Sequence, residues 1–182
     1  MRADSRGFAL MSDLPMLDPV SVQDAYDLTR AAFDLSEAIG SPVFVRLVTA
    51  NSSSFSAIEL PDEPPASAWP ERRPLLIRDI NKFTKAGAVI AMTQHRDVIA
   101  RLEKAERWIA ERGLNELRMA NSKWETANGS TEHASRSTLG IIAAGITAAY
   151  LDEAFEIASR YGFDPITASV LKIVSVHPLP AE

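Results

Sequence analysis

Two short stretches and three scattered histidines hold the residue types that could do chemistry. In LGIIAAGITAAY, residues 139–150, an apolar run ends in Gly145 and helical periodicity begins at once, the outline of a phosphate-binding turn. A Walker-type loop needs a lysine and a hydroxyl residue after its last glycine, to hold terminal phosphates and magnesium. Here Ile146 and Thr147 follow, and no lysine occurs before Lys172. A dinucleotide fingerprint needs three glycines as G-x-G-x-x-G, and this stretch has only Gly140 and Gly145. The expectation is therefore a structural turn, in which Gly145 lets the backbone reverse and Thr147 helps to cap the helix. His95, His133 and His177 lie far apart without metal-ligand spacing, so no metal site is expected and packing roles are favoured over catalysis. No G-x-S-x-G elbow supports a serine hydrolase. In ANSSSF, residues 50–55, Asn51 and Ser52 follow an apolar run. Ligands in open α/β sheets gather beyond the carboxyl ends of strands, so both are candidate substrate- or cofactor-facing groups. The favoured reading of this loop is that it satisfies its own backbone.

Composition removes several classes of function. With no cysteine, the 182-residue chain has no disulfide, no thiolate nucleophile and no thiolate ligand for zinc or an iron–sulfur cluster. Its net charge of -5 argues against nucleic acid or an anionic membrane as an electrostatic partner. No apolar segment approaches the roughly 20 residues of a membrane span. Asp4 and Asp13 interrupt the N-terminal region, which does not read as a secretory signal. A cytoplasmic protein is expected.

The elements that must position these residues follow from periodicity. Ser21 is a natural N-cap, and Ala25, Leu28, Ala32, Leu35 and Ile39 recur at helical steps until Gly40 and Pro42 stop the helix. Residues 43–49 then read as a strand, apolar almost throughout, as parallel strands covered on both faces are. Five prolines in LPDEPPASAWPERRP, residues 60–74, mark a linker. Short apolar runs at 75–77 and 88–92 read as strands, and 96–118 as a charged helix. Residues 121–137 are polar and are expected to be a mobile connector. The last unit is strand 139–144, helix 147–160 ended by Gly162, and strand 169–176, a βαβ arrangement.

The stretch DSRGFALMSDLPMLDPVSVQDAYDLTRAAFDLSEAIGSPVFVRLVT, residues 4–49, resembles the alpha subunits of indolepyruvate-type 2-oxoacid:ferredoxin oxidoreductases. There an Asp-Asn-Arg loop leads into a helix with QEAYDM…AFELSE and a strand PVLLRLTT. LGIIAAGITAAYLDEAFEIA and SVLKIVSVHPLP are similar to the family's GIITSGVSYNYVKEAL and ILKLGTVYPLP, and RRPLLIRDINKF sits where the family has a connector. Ser5 stands where the family has Asn, and ANSSSF departs from its RVSHSRG loop.

The resemblance implies an α/β fold made of parts of two Rossmann-like parallel-sheet domains. Residues 1–60 would end a pyrimidine-type thiamine diphosphate domain, 61–135 would be a linker with the charged helix, and 136–182 would begin a transketolase C-terminal-like domain. It implies an enzyme that oxidatively decarboxylates a 2-oxoacid to an acyl-CoA and passes electrons to ferredoxin. Asp4 and Arg6 would face substrate or cofactor, Arg6 pairing with a substrate carboxylate. Thiamine diphosphate, magnesium and iron–sulfur clusters belong to the complete enzyme, and none is expected on this chain alone. The expected partners are the other domains or subunits of that enzyme, a second copy of the chain, and ferredoxin. The competing expectation is a non-catalytic α/β protein-interaction module. One physical feature bears on both: three readable helices are too few to cover both faces of two partial sheets.

Overall fold

The computed structural model describes residues 4–62, 76, 78–85, 87–118, 125–126, 139–162 and 168–180. Helix α1 (Arg6–Ser12) leads to a two-residue strand β1 (Met16–Leu17) and then to α2 (Val22–Ile39). As its caps predict, the Ser21 hydroxyl accepts from the Asp24 amide at 3.0 Å, and Gly40 ends the helix with φ +64°. Leu28, Ala32, Leu35 and Ile39 are its buried stripe.

The strand expected at 43–49 is much shorter. Only β2 (Phe44–Val45) pairs, parallel to β1, and Thr49–Ser52 coil into the single turn α3. Prolines on the partner explain the limit. Pro15 and Pro19 flank β1, and proline has no N–H to extend a ladder. The pairing ends with the Phe44 amide on the Pro15 carbonyl and the Arg46 amide on that of Leu17, both at 2.8 Å. Phe44 and Leu47 are exposed, so this segment is not covered on both faces.

A second correction concerns the middle of the chain. After a turn of helix α4 (Ile80–Phe83), the supposed strand 88–92 is the start of α5 (Ala88–Glu111). A short apolar run cannot by itself be assigned to strand or buried helix. The helix also ends before 118. Arg112 caps it, Gly113 turns with φ +58°, and Glu116–Arg118 form β3. The expected strand at 75–77 and the connector at 121–137 lie outside the described residues, except for Leu76 and the short strand β4 (Glu125–Thr126).

The βαβ unit is present. Strand β5 (Leu139–Ala144) runs through helix α6 (Ile146–Arg160) to the parallel strand β6 (Ala168–Ile173), in register from Leu139 opposite Ala168 to Ala144 opposite Ile173. The final strand breaks at Val174 and resumes as β7 (Ser175–His177) in the other sheet. A buried side chain holds the break: Asn115 Oδ1 accepts from the Val174 amide at 3.0 Å and the Ser175 amide at 3.2 Å. The sheets are ordered β2-β1-β7 and β4-β3-β6-β5, and both mix parallel with antiparallel pairs. The expected wholly parallel sheets are corrected accordingly, and the class is mixed α/β. One buried apolar cluster joins Leu17, Leu35, Trp108, Ile109, Ala143, Ala148 and Val174. No described helix is long and apolar enough to cross a membrane.

Candidate functional site

Three residues stand one position beyond the carboxyl ends of strands: Asp18 after β1, Arg46 after β2 and Gly145 after β5. The end of a parallel strand is where α/β proteins collect ligand-binding groups, because the backbone there is fixed while the side chain is free of the ladder. Asp18 is held first by its backbone, whose amide donates to the Val174 carbonyl at 2.7 Å. Its side chain is buried and accepts from the Arg46 guanidinium at 2.7 Å through Oδ2. Oδ1 has no partner among the described residues.

Gly145 explains the turn in LGIIAAGITAAY. Its φ of +54° and ψ of -141° favour glycine, and its amide donates to the Ile173 carbonyl at 3.3 Å. A Cβ there would lie 2.6 Å from the Asp18 carboxyl carbon. The glycine makes room for a carboxylate of the chain itself. Thr147 does not cap the helix as expected: its hydroxyl donates to the Ala144 carbonyl at 2.6 Å and accepts from the Ala144 amide at 3.1 Å.

Asp4 and Arg6 continue the charge pattern outward. Asp4 accepts from the Arg6 backbone amide at 3.0 Å and from its Nε at 2.9 Å. Arg46 lies 3.8 Å from Asp4, which completes an alternating row Asp18–Arg46–Asp4–Arg6. The hydrogen bonds from Arg6 hold the Asp4 carboxyl well below the usual carboxylate range, and Asp4 raises Arg6 in return. Burial pushes the Asp18 carboxyl up, against the pull of Arg46.

Beside this row opens a cleft of about 430 Å³ that Ser5, Arg46, Val48, Thr49, Ile146 and Tyr150 help to line. The expected site residues divide around it. Asp4 and Arg6 flank Ser5 at its edge without lining it. Asn51 is buried and donates to the Pro19 carbonyl at 2.7 Å, fixing the turn after β1. Ser52 is exposed and donates back to Val48 at 3.1 Å. Asp18, Arg46, Thr49 and Tyr150 were not anticipated, although a lone arginine inside the apolar run 43–49 was a legible signal. His95 is exposed on α5, His177 ends β7, and His133 lies outside the described residues.

A groove of about 500 Å³ beside α4 and α5 uses its polar groups on backbone: Asp79 caps α4, and Gln94 donates to the carbonyls of Asn81 and Thr84. No described group of three or more His, Asp or Glu residues is placed to hold a metal ion.

A protein of Archaeoglobus fulgidus, indolepyruvate oxidoreductase subunit IorA, is 29% identical over 180 residues, covering 97% of this chain and 24% of its own length. Subunits of the same name from Pyrococcus abyssi and Methanothermobacter thermautotrophicus are each 27% identical over 179 residues, covering 97% and 98% of this chain and 24% and 25% of theirs. The chain is similar, nearly end to end, to part of indolepyruvate oxidoreductase subunit IorA. It spans about a quarter of the length of these curated relatives. No family model matches it. Because the similarity to IorA takes in nearly the whole chain, the strand-end residues Asp18, Arg46 and Gly145 fall within it.

The iron–sulfur clusters that a ferredoxin-linked enzyme uses do not fit the residues present. No cysteine can hold a cluster. No step through those groups is derived for this chain.

Proposed function

We propose that this chain is part of an indolepyruvate-type 2-oxoacid oxidoreductase and acts only together with the rest of that enzyme. The observation that carries the reading is the similarity to IorA subunits over 97% of the chain. The cleft at the strand ends supports it. In the proposed reaction the substrate's carboxylate carbon leaves as carbon dioxide and the acyl carbon joins the thiol sulfur of coenzyme A. The thiol proton is released, and an electron pair passes to ferredoxin. On this reading thiamine diphosphate, magnesium and iron–sulfur clusters are held by other parts of a cytoplasmic assembly. On the same reading Asp4 and Arg6, at the edge of the cleft, face substrate or cofactor in the assembled enzyme. A second copy of this chain and ferredoxin are proposed partners of the whole.

One observation favours a second reading, a non-catalytic α/β interaction module. The exposed residues Phe8, Leu10 and Met11 all lie on α1, a surface that suits a protein partner. Co-expression with the products of neighbouring genes separates the two. The first reading expects a complex that reduces ferredoxin, or methyl viologen in its place, when given indolepyruvate and coenzyme A. The chain alone should be inert. A stable complex that no 2-oxoacid can drive would favour the interaction module.

A further inference from the structure

We propose that Arg46, rather than Arg6, is the group by which the cleft takes the carboxylate of a small organic acid, with Asp18 as its positioning residue. The two guanidinia differ in what is left to them. Arg6 is 51% exposed at its side chain, does not line the cleft, and turns both its amide and its Nε to Asp4. Arg46 is 18% exposed and lines the cleft. Its guanidinium gives one hydrogen bond among the described residues, to Asp18 at 2.7 Å. Asp4 at 3.8 Å is beyond hydrogen-bonding range. A guanidinium has five N–H donors in a rigid fork, so most remain for a ligand in the cleft.

Asp18 makes this possible without competing for the ligand. It is 2% exposed, anchored through its amide to Val174 and packed where only a glycine fits at position 145. It fixes one edge of the guanidinium and orients the rest. The row Asp18–Arg46–Asp4–Arg6 is neutral in sum when all four are ionised, so a monoanion suits it better than a phosphate dianion. Ser5, Thr49 and Tyr150 offer hydroxyls, while Val48 and Ile146 give apolar wall. A cleft of about 430 Å³ has room for an acid with an aromatic body. The proposal rests on the oxidoreductase reading only for the kind of acid; the site itself follows from geometry.

The test uses the full isotope-labelled chain and indole-3-propionate, a carboxylate that cannot be decarboxylated by 2-oxoacid chemistry, with indole-3-propionamide as its neutral counterpart. The expected result is a saturable shift of the Arg46 Nε–H resonance with the acid and none with the amide. Arg46→Lys keeps a charge but loses the fork, and should weaken binding about tenfold. Arg46→Gln could misfold by stranding Asp18, so the double variant Asp18→Asn with Arg46→Gln removes both partners, and it should abolish binding. Asp18→Asn alone should weaken binding and broaden the Arg46 resonance. Arg30→Gln removes an equal charge elsewhere and should bind as the parent does.

Three results would overturn the site: no saturable shift at Arg46 in the parent chain, equal binding of acid and amide, or undiminished binding in both Arg46→Lys and the double variant. Turnover is not the readout. Carboxylate binding through Arg46 in a chain whose assembly rejects every 2-oxoacid would sink the oxidoreductase reading and leave the site standing.

Discussion

A buried carboxylate and a glycine in contact with it are the most constrained pair in the molecule. Replacing Gly145 by alanine meets two costs: a backbone region favouring glycine, and a Cβ 2.6 Å from the Asp18 carboxyl carbon. Together they should destabilise the fold by about 3 kcal/mol or more, and chemical denaturation of Gly145→Ala will measure it. Asp18 gives a pH test whose sign can be worked out. Burial raises its folded pKa above the unfolded value, so the folded state holds the proton more tightly. Its stabilising contribution is therefore greatest at low pH and declines as pH climbs from the unfolded carboxylate pKa through the folded one. Asp18→Asn has no such titration, so its stability relative to the parent should improve from pH 4 to pH 7. The opposite slope would mean that Arg46 outweighs burial. At this scale the sequence was half legible. The missing lysine and third glycine pointed to a structural turn at Gly145, whose φ is indeed positive, but nothing local in LGIIAAGITAAY names Asp18, more than a hundred positions away.

Elements were legible where one periodic stripe decides them and obscure where a distant partner does. Helix α2 has both caps and its buried stripe written into consecutive residues. Ser21→Ala should therefore cost about 1 kcal/mol through the lost bond to the Asp24 amide. Leu35, fully buried at the centre of the stripe, should cost about 2–5 kcal/mol as Leu35→Ala. Thermal melts of both variants will show whether the larger loss falls on the core position. Strand β2 is the contrary case. Residues 43–49 have a strand's composition, yet its length is set by prolines on either side of β1, and β1 is too short to be recognised from pattern. The split between β6 and β7 likewise depends on Asn115, a buried polar side chain some sixty residues earlier. The cleft inherits this dependence: Arg46 sits just beyond a strand whose end its own residues do not announce.

At the scale of the whole molecule, the apolar surface left in water is the fact to account for. The shared core satisfies Leu17, Leu35, Ile109 and Val174 completely or nearly so. Strand β5, at the edge of its sheet, has Leu139 exposed and Ile142 72% exposed, while Met11 of α1 is 83% exposed. Fully burying one such side chain is worth about 1.5–3 kcal/mol relative to exposure, so covering several is a strong incentive to associate. The expectation that strands would seek cover on both faces thus has a concrete locus on β5, whose burial pattern leaves three of six positions exposed. Sedimentation velocity across a hundredfold concentration range should show a rise in mean mass for the isolated chain. Ile142→Lys, which places a charge on that open face, should return the distribution toward monomer without a large change in melting temperature, since little packing is lost. A folded monomer at every concentration would show that this face tolerates water and would overturn self-association.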